Sequence, residues 1–118
     1  MIALALQIGA AFNLVCVGTQ TDYTSSESPM RLVLRIDLDQ RRFCFDDCES
    51  TLAIASVSDT EIILQDEPMQ GPWRARILRR VNRESGAYYA SVGTDQIYIR
   101  GHGTCETAPF TGFPARRF

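Results

Sequence analysis

Apolar and polar residues alternate with a period of two along most of the chain. In Arg31–Asp39, Leu32, Leu34, Ile36 and Leu38 fall on one face while Arg31, Arg35, Asp37 and Asp39 fall on the other; Val33 is the one exception. Successive side chains of an extended chain point to opposite faces, so this is the pattern of a half-buried β-strand. The same reading predicts strands over 12–20, 31–39, 42–46, 52–57, 60–65, 73–82, 87–92 and 96–105. Turn-forming residues separate them at Asp39–Arg41, Ser58–Asp59, Asp66–Pro72, Glu84–Gly86 and Gly93–Asp95, and residues 21–30 read as a polar loop. Nowhere does a helical period persist over about eleven residues.

About eight short strands joined by short turns describe an antiparallel sandwich or an up-and-down barrel, since parallel strands would need crossover helices. Closure removes the exposed edges of a meander. The expected architecture is therefore an all-β antiparallel meander, closed or nearly closed as a small barrel. The tail from Thr107 carries Phe110, Phe113 and Phe118 with Pro109 and Pro114. It is expected to be an extended strap that packs its aromatics against the body, the rival being a tail that binds a partner.

At 118 residues the chain has room for one domain. Apolar residues at 45% and charged residues at 22% are ordinary for a globular protein. A formal charge of -2 creates no field that would recruit nucleic acid or an anionic membrane, so nucleic acid is set aside as a partner. Residues 1–11 are expected to be an export signal. The run from Met1 meets no charge before Asp22, and Gly9, Ala10 and Ala11 supply the small residues a cleavage position needs. A start codon upstream of Met1 would account for the missing basic segment. A membrane span would need about 20 apolar residues, and Asn13 and Gly18 interrupt the run. Residues 12–118 then form the mature domain, periplasmic or secreted, with no transmembrane segment.

Export gives the 4 cysteines a meaning, because in a small oxidised domain they are most simply two disulfides. Cys16 shares parity with Phe12 and Leu14, and Cys105 shares parity with Ile97 and Ile99. Both point inward from the terminal strands and are placed to staple them. Cys44 and Cys48 remain, and their gap closes if Asp46–Asp47 turns sharply. A redox pair at Cys44 and Cys48 is opposed by the spacing and by acidic neighbours, which raise a thiol pKa. A zinc set of Cys44, Cys48, His102 and Cys105 has tolerable spacing. It would leave Cys16 unpaired, and strand parity puts His102 and Cys105 on opposite faces. The same parity separates His102 from Cys105 as base and nucleophile, so a hydrolytic or metal-binding protein built on them is the weaker alternative. No cofactor is expected.

Asp37, Asp39, Asp46, Asp47 and Glu49 crowd one hairpin, but without the spacing of a calcium loop they read as a solvated turn. In Trp73–Arg83, Trp73, Ala75, Ile77 and Val81 share one face, and Arg74, Arg76 and Arg80 share the other. That outer row is either a docking stripe for an acidic partner or anionic glycan, or a solvated strand face paired with nearby carboxylates. Arg79 falls on the apolar face, out of pattern.

The segments "AFNLVCVGT", "RLVLRIDLD", "VNRESG" and "GTCETAPFTGFP" together resemble a group of small exported proteins of alphaproteobacteria with no assigned activity. That resemblance implies export and disulfides and transfers no site. Ser85-Gly86-Ala87-Tyr88-Tyr89, followed by Tyr98-Ile99-Arg100-Gly101, resembles the inhibitory signature of membrane-bound C-type lysozyme inhibitors, small disulfide-bearing β-barrels of the periplasm. It implies that Ser85 and Arg100 enter an enzyme cleft, with Arg where that family has Lys, which is not a conservative exchange at a carboxylate contact. Glu84-Ser85-Gly86 is equally what a hairpin turn needs. The sequence assigns no molecular function and no partner; the reading that follows is an exported β domain that binds or builds in preference to an enzyme, with a protein or an envelope glycan as the candidate partner classes.

Overall fold

The computed structural model describes residues 9–71 and 74–115. These residues form no helix and nine strands: β1 (Ala11–Asp22), β2 (Glu27–Asp37), β3 (Arg42–Phe45), β4 (Leu52–Ala53), β5 (Ser56–Val57), β6 (Glu61–Pro68), β7 (Arg76–Asn82), β8 (Ala87–Gly93) and β9 (Tyr98–Ala108). All pairings are antiparallel, in the order β4-β3-β2-β1-β9-β8-β7-β6-β5. Chain neighbours are therefore sheet neighbours, except that β1 pairs with β9 and the two edges, β4 and β5, follow one another in sequence. The meander curls into a half-barrel. Between its edges the Ile54 N–H donates to the Arg41 carbonyl at 2.9 Å and the Ala55 N–H to the Leu64 carbonyl at 3.2 Å. Such short, tied edges offer little template for another strand.

The strand expected over 52–57 is split because the chain crosses here from one edge to the other, with Ile54 turned into the core. The polar loop expected over 21–30 shrinks to Tyr23–Ser26, since Thr21 pairs with Glu27 and Asp22 with Ile99. Backbone ladders carry the strands past the end of the core, where neither face needs apolar residues. The turn is organised by Asp22, whose Oδ1 accepts from the Thr24 hydroxyl at 2.5 Å and from the N–H groups of Thr24 and Ser26 at 2.8 and 3.1 Å. β7 begins at Arg76; Trp73 lies outside the described residues. β9 starts at Tyr98, because Thr94 closes a turn by accepting from the Gln96 and Ile97 N–H groups. β6 carries a bulge between Ile63 and Gln65, which lets both Leu64 and Gln65 serve the inner face.

The concave face holds the core: Phe12, Leu14 and Cys16 of β1, Met30, Leu34 and Ile36 of β2, Phe43 of β3, Ile62 and Leu64 of β6, Val81 of β7, Tyr88 and Ala90 of β8 and Cys105 of β9. Gly18 of β1 faces Gly103 of β9. A Cβ on Gly18 would collide with the His102 carbonyl, and one on Gly103 with the Val17 carbonyl. The pair permits the close backbone approach that lets the sheet curl.

Cys16 faces Cys105 directly, their sulfurs are at disulfide distance, and their Cα atoms are 4.0 Å apart. The Cys105 N–H donates to the Gly86 carbonyl at 2.7 Å, on its other side. That makes Cys16/Cys105 a non-hydrogen-bonded pair, the register position where opposed side chains come closest. Cys44 and Cys48 also lie at disulfide distance, across a turn closed by the Cys48 N–H on the Phe45 carbonyl at 2.9 Å.

After β9 the chain crosses the convex face. Asn13, buried, donates from Nδ2 to Thr111 Oγ1 at 3.0 Å and accepts from the Thr111 N–H at 3.3 Å, while Arg35 Nη1 donates to the Gly112 carbonyl at 3.1 Å. Phe110 and Phe113 are half-buried and meet edge to face with centroids 5.1 Å apart. Phe118 lies outside the described residues.

Candidate functional site: the concave face

Reading the register across the sheet places concave residues in rows. Arg79 of β7 aligns with Gln65 of β6, Ala90 of β8, Gly101 of β9 and Gln20 of β1. One pleat toward the end where β1 starts lie Val81, Tyr88 and Gly103; one pleat the other way lie Ile77, Val92 and Ile99.

At the first end the half-barrel opens into a cleft of about 890 Å³. Its floor is apolar, formed by Phe12, Leu14, Leu38, Val57, Ile62 and Val81, and charged residues such as Arg41, Arg83, Glu84 and Glu106 stand around it. Ser85 is in this rim, on the β7–β8 turn, where its Oγ accepts from the Ala87 N–H at 3.1 Å. Gly86 follows at φ 76, and a Cβ there would meet the Cys105 carbonyl. At the opposite end lies the apolar row Ile77, Val92 and Ile99, the first two half-buried, with Ile99 46% and the neighbouring Ile97 59% exposed.

Between the two ends stands Arg79, half-buried. Its Nε donates to Gln65 Oε1 at 2.8 Å, its Nη1 donates to the Tyr88 hydroxyl at 3.0 Å, and its guanidinium lies 5.0 Å from the centroid of the Phe45 ring. This contact spans the half-barrel from β7 to β3. It accounts for the charge at position 79 on the apolar face: Arg79 is an inward cation held by neutral partners.

The residues singled out from the sequence are dispersed. Arg76 and Arg80 point outward and pair with Asp66 at 3.0 Å and Glu61 at 3.7 Å, and Arg80 also stacks on Tyr89. Arg74 is exposed. Arg100 faces out from β9 over the Tyr98 ring at 4.0 Å. It pairs with Ser91, four residues into β8, whereas Ser85 precedes that strand. At about 3.3 Å per residue the two are roughly 15–20 Å apart, so the structure does not bring Ser85 and Arg100 together at one tip. His102 faces out, 3.2 Å from Thr19 Oγ1, on the opposite face from buried Cys105. Among the described residues no three His, Cys, Asp or Glu side chains are placed to hold a metal ion. The acidic residues of the hairpin act singly: Asp37 caps the turn through the Asp39 and Gln40 N–H groups, and Asp46 pairs with Arg35. The Thr24 hydroxyl, followed by the Ser26 and Thr24 N–H groups, holds the exposed Asp22 carboxyl below its ordinary pKa of 3.8.

Comparison with known proteins finds no protein family, no curated protein and no solved structure that matches the chain.

Proposed function

We propose that the protein is an exported binding domain that receives a small apolar molecule on the concave face of its half-barrel. One observation carries this reading: a cleft of about 890 Å³ opens at one end over the half-buried Leu38 and Val57 and the edge of the packed core, and a partly exposed apolar shelf lies at the other. Apolar surface in a concavity is where a small ligand gains most from leaving water, at about 25 cal/mol per Å² covered. Outside this face Asp22, Asp37, Ser58 and Thr94 organise turns, and Arg35, Arg76 and Arg80 form surface pairs, roles that hold a shape. Export is supported by the two cysteine pairs at disulfide distance, which persist in oxidising compartments.

The test is a titration of the oxidised chain with the apolar fluorophore N-phenyl-1-naphthylamine. Saturable enhancement with one site per chain is expected, and a linear or absent response would contradict the proposal. Fractionation of the native cells tests export independently, with the oxidised chain expected in the envelope fraction or the medium.

A further inference from the structure

We infer that the ligand of the concave face is an anion, a single-chain apolar carboxylic acid whose carboxylate pairs with Arg79. This rests on the concave-face reading and adds the chemistry of the head group. A cation withdrawn from water is destabilising unless paired, and hydrogen bonds to neutral groups compensate only in part. Arg79 has Gln65, Tyr88 and the Phe45 ring as partners, and among the described residues no carboxylate lies within ion-pair distance of it. By contrast Arg35, Arg76 and Arg80 each stand beside an Asp or Glu.

The three neutral partners also fix the guanidinium in place. A guanidinium carries five N–H donors, and a carboxylate accepts two of them in parallel. Arg79 uses two donors within the described residues and keeps its Nη2 clear of them. Of its row neighbours, Ala90 is buried and Gly101 lies under the Met30 sulfur, so a carboxylate reaches the guanidinium from the shelf side of the row. One pleat outward, Ile77, Val92 and Ile99 supply the apolar shelf along which a hydrocarbon chain would run toward solvent. The shelf row ends in acidic residues on both sides, Glu67 opposite Ile77 and Asp22 opposite Ile99. An anionic head is therefore disfavoured at the rim and favoured at Arg79, which sets the orientation of the bound molecule. A cationic or neutral head would leave Arg79 unpaired.

Competition against bound N-phenyl-1-naphthylamine by dodecanoate, dodecanol and dodecyltrimethylammonium, each below its micelle concentration, separates the two levels of the argument. Dodecanoate is expected to bind about tenfold or more tighter than dodecanol, the scale of one charge-assisted contact. Arg79→Gln is expected to abolish that preference, read as the ratio of dodecanoate to dodecanol affinity within the same variant. Arg79→Lys keeps the charge but loses the planar fork, and is expected to retain part of the preference. Equal affinity for acid and alcohol in the unmodified chain would overturn the inference, whether or not Arg79→Gln folds. So would an acid preference that survives Arg79→Gln. In both cases fluorophore and dodecanol binding would still uphold the concave face as a site. Failure of every probe to bind would overturn the binding proposal together with this one.

Discussion

On the convex side of β7, Arg76 and Arg80 stand beside Asp66 and Glu61; between them in sequence, on the concave side, Arg79 stands beside Gln65, Tyr88 and Phe45. Three arginines of one strand thus occupy two different electrostatic settings. The side chains of the outer pairs are 36–60% exposed, and such pairs contribute about 0–1 kcal/mol each because water already solvates both partners. The inner arginine gives up much of its water for fixed neutral dipoles and a ring face. The difference teaches where to look for specificity: an exposed cation beside an acid is already satisfied, and an inward cation without an acid is not. The cysteines divide in the same way. Cys16–Cys105 lies on the concave face and closes a sequence separation of 89, whereas Cys44–Cys48 follows the opposite parity from Phe43 and Phe45 and closes a separation of 4.

The largest expected effect tests that division of the cysteines. From loop-closure entropy, Cys16→Ala with Cys105→Ala should destabilise the fold by about 4–5 kcal/mol, and Cys44→Ala with Cys48→Ala by about 2 kcal/mol. Denaturant melts of the two double variants give both values, and a larger loss from the Cys44/Cys48 pair would break the comparison. Next come the arginines. Arg79→Ala removes a cross-barrel contact and two hydrogen bonds and is expected to cost about 2–4 kcal/mol, against less than about 1 kcal/mol for Arg76→Ala or Arg80→Ala. Equal losses at all three would show that Arg79 is an ordinary surface residue.

The convex face is expected to depend on its tail. Truncation after Ala108 removes the half-buried Phe110 and Phe113 and leaves Asn13, buried, without the Thr111 partner for both ends of its amide. The expected loss is about 2–3 kcal/mol. An unchanged melt would assign the aromatics to a partner outside the fold. The smallest effect lies at the Asp22 turn. Hydrogen bonds to the ionised carboxylate lower its folded pKa, so their contribution is present above the unfolded pKa and is lost as pH falls through the folded value. Amide chemical shifts of Thr24 and Ser26 should titrate with a midpoint below 3.8, and a midpoint at or above that value would contradict the turn geometry.

Much of this was legible in a period of two. Alternation in Arg31–Asp39 reports which face is buried, and parity alone placed Cys16 and Cys105 inward and His102 outward, as found. What alternation could not report is where polar sequence is still strand. Thr21–Asp22 and Glu27–Met30 are held by backbone ladders, which leave no trace in side-chain polarity. The break at Ile54–Ala55 was hidden for a related reason, since a chain crossing between sheet edges keeps the composition of a strand. The site was only half legible. The cleft floor consists largely of residues already assigned to the core, and nothing local marks which core residues border a cleft. Arg79 was visible as an exception, but Gln65 reaches it through a bulge and Phe45 through the curl of the sheet, and neither appears in a one-dimensional pattern. Ser85 and Arg100, joined by motif, are separated by the register of β8 and β9.

The account's central claim is that the concave face is a ligand site. Its most direct test is a methyl and amide shift map of the isotopically labelled chain titrated with dodecanol, which has no charge and so isolates the apolar face from the role of Arg79. The account predicts saturable shifts concentrated at inward residues of the cleft or shelf, Val81 and Ile62 or Ile77, Val92 and Ile99, with Leu78, Tyr89 and His102 on the outer face unmoved. Shifts confined to the outer face or the tail aromatics, or no shifts at all, would contradict it.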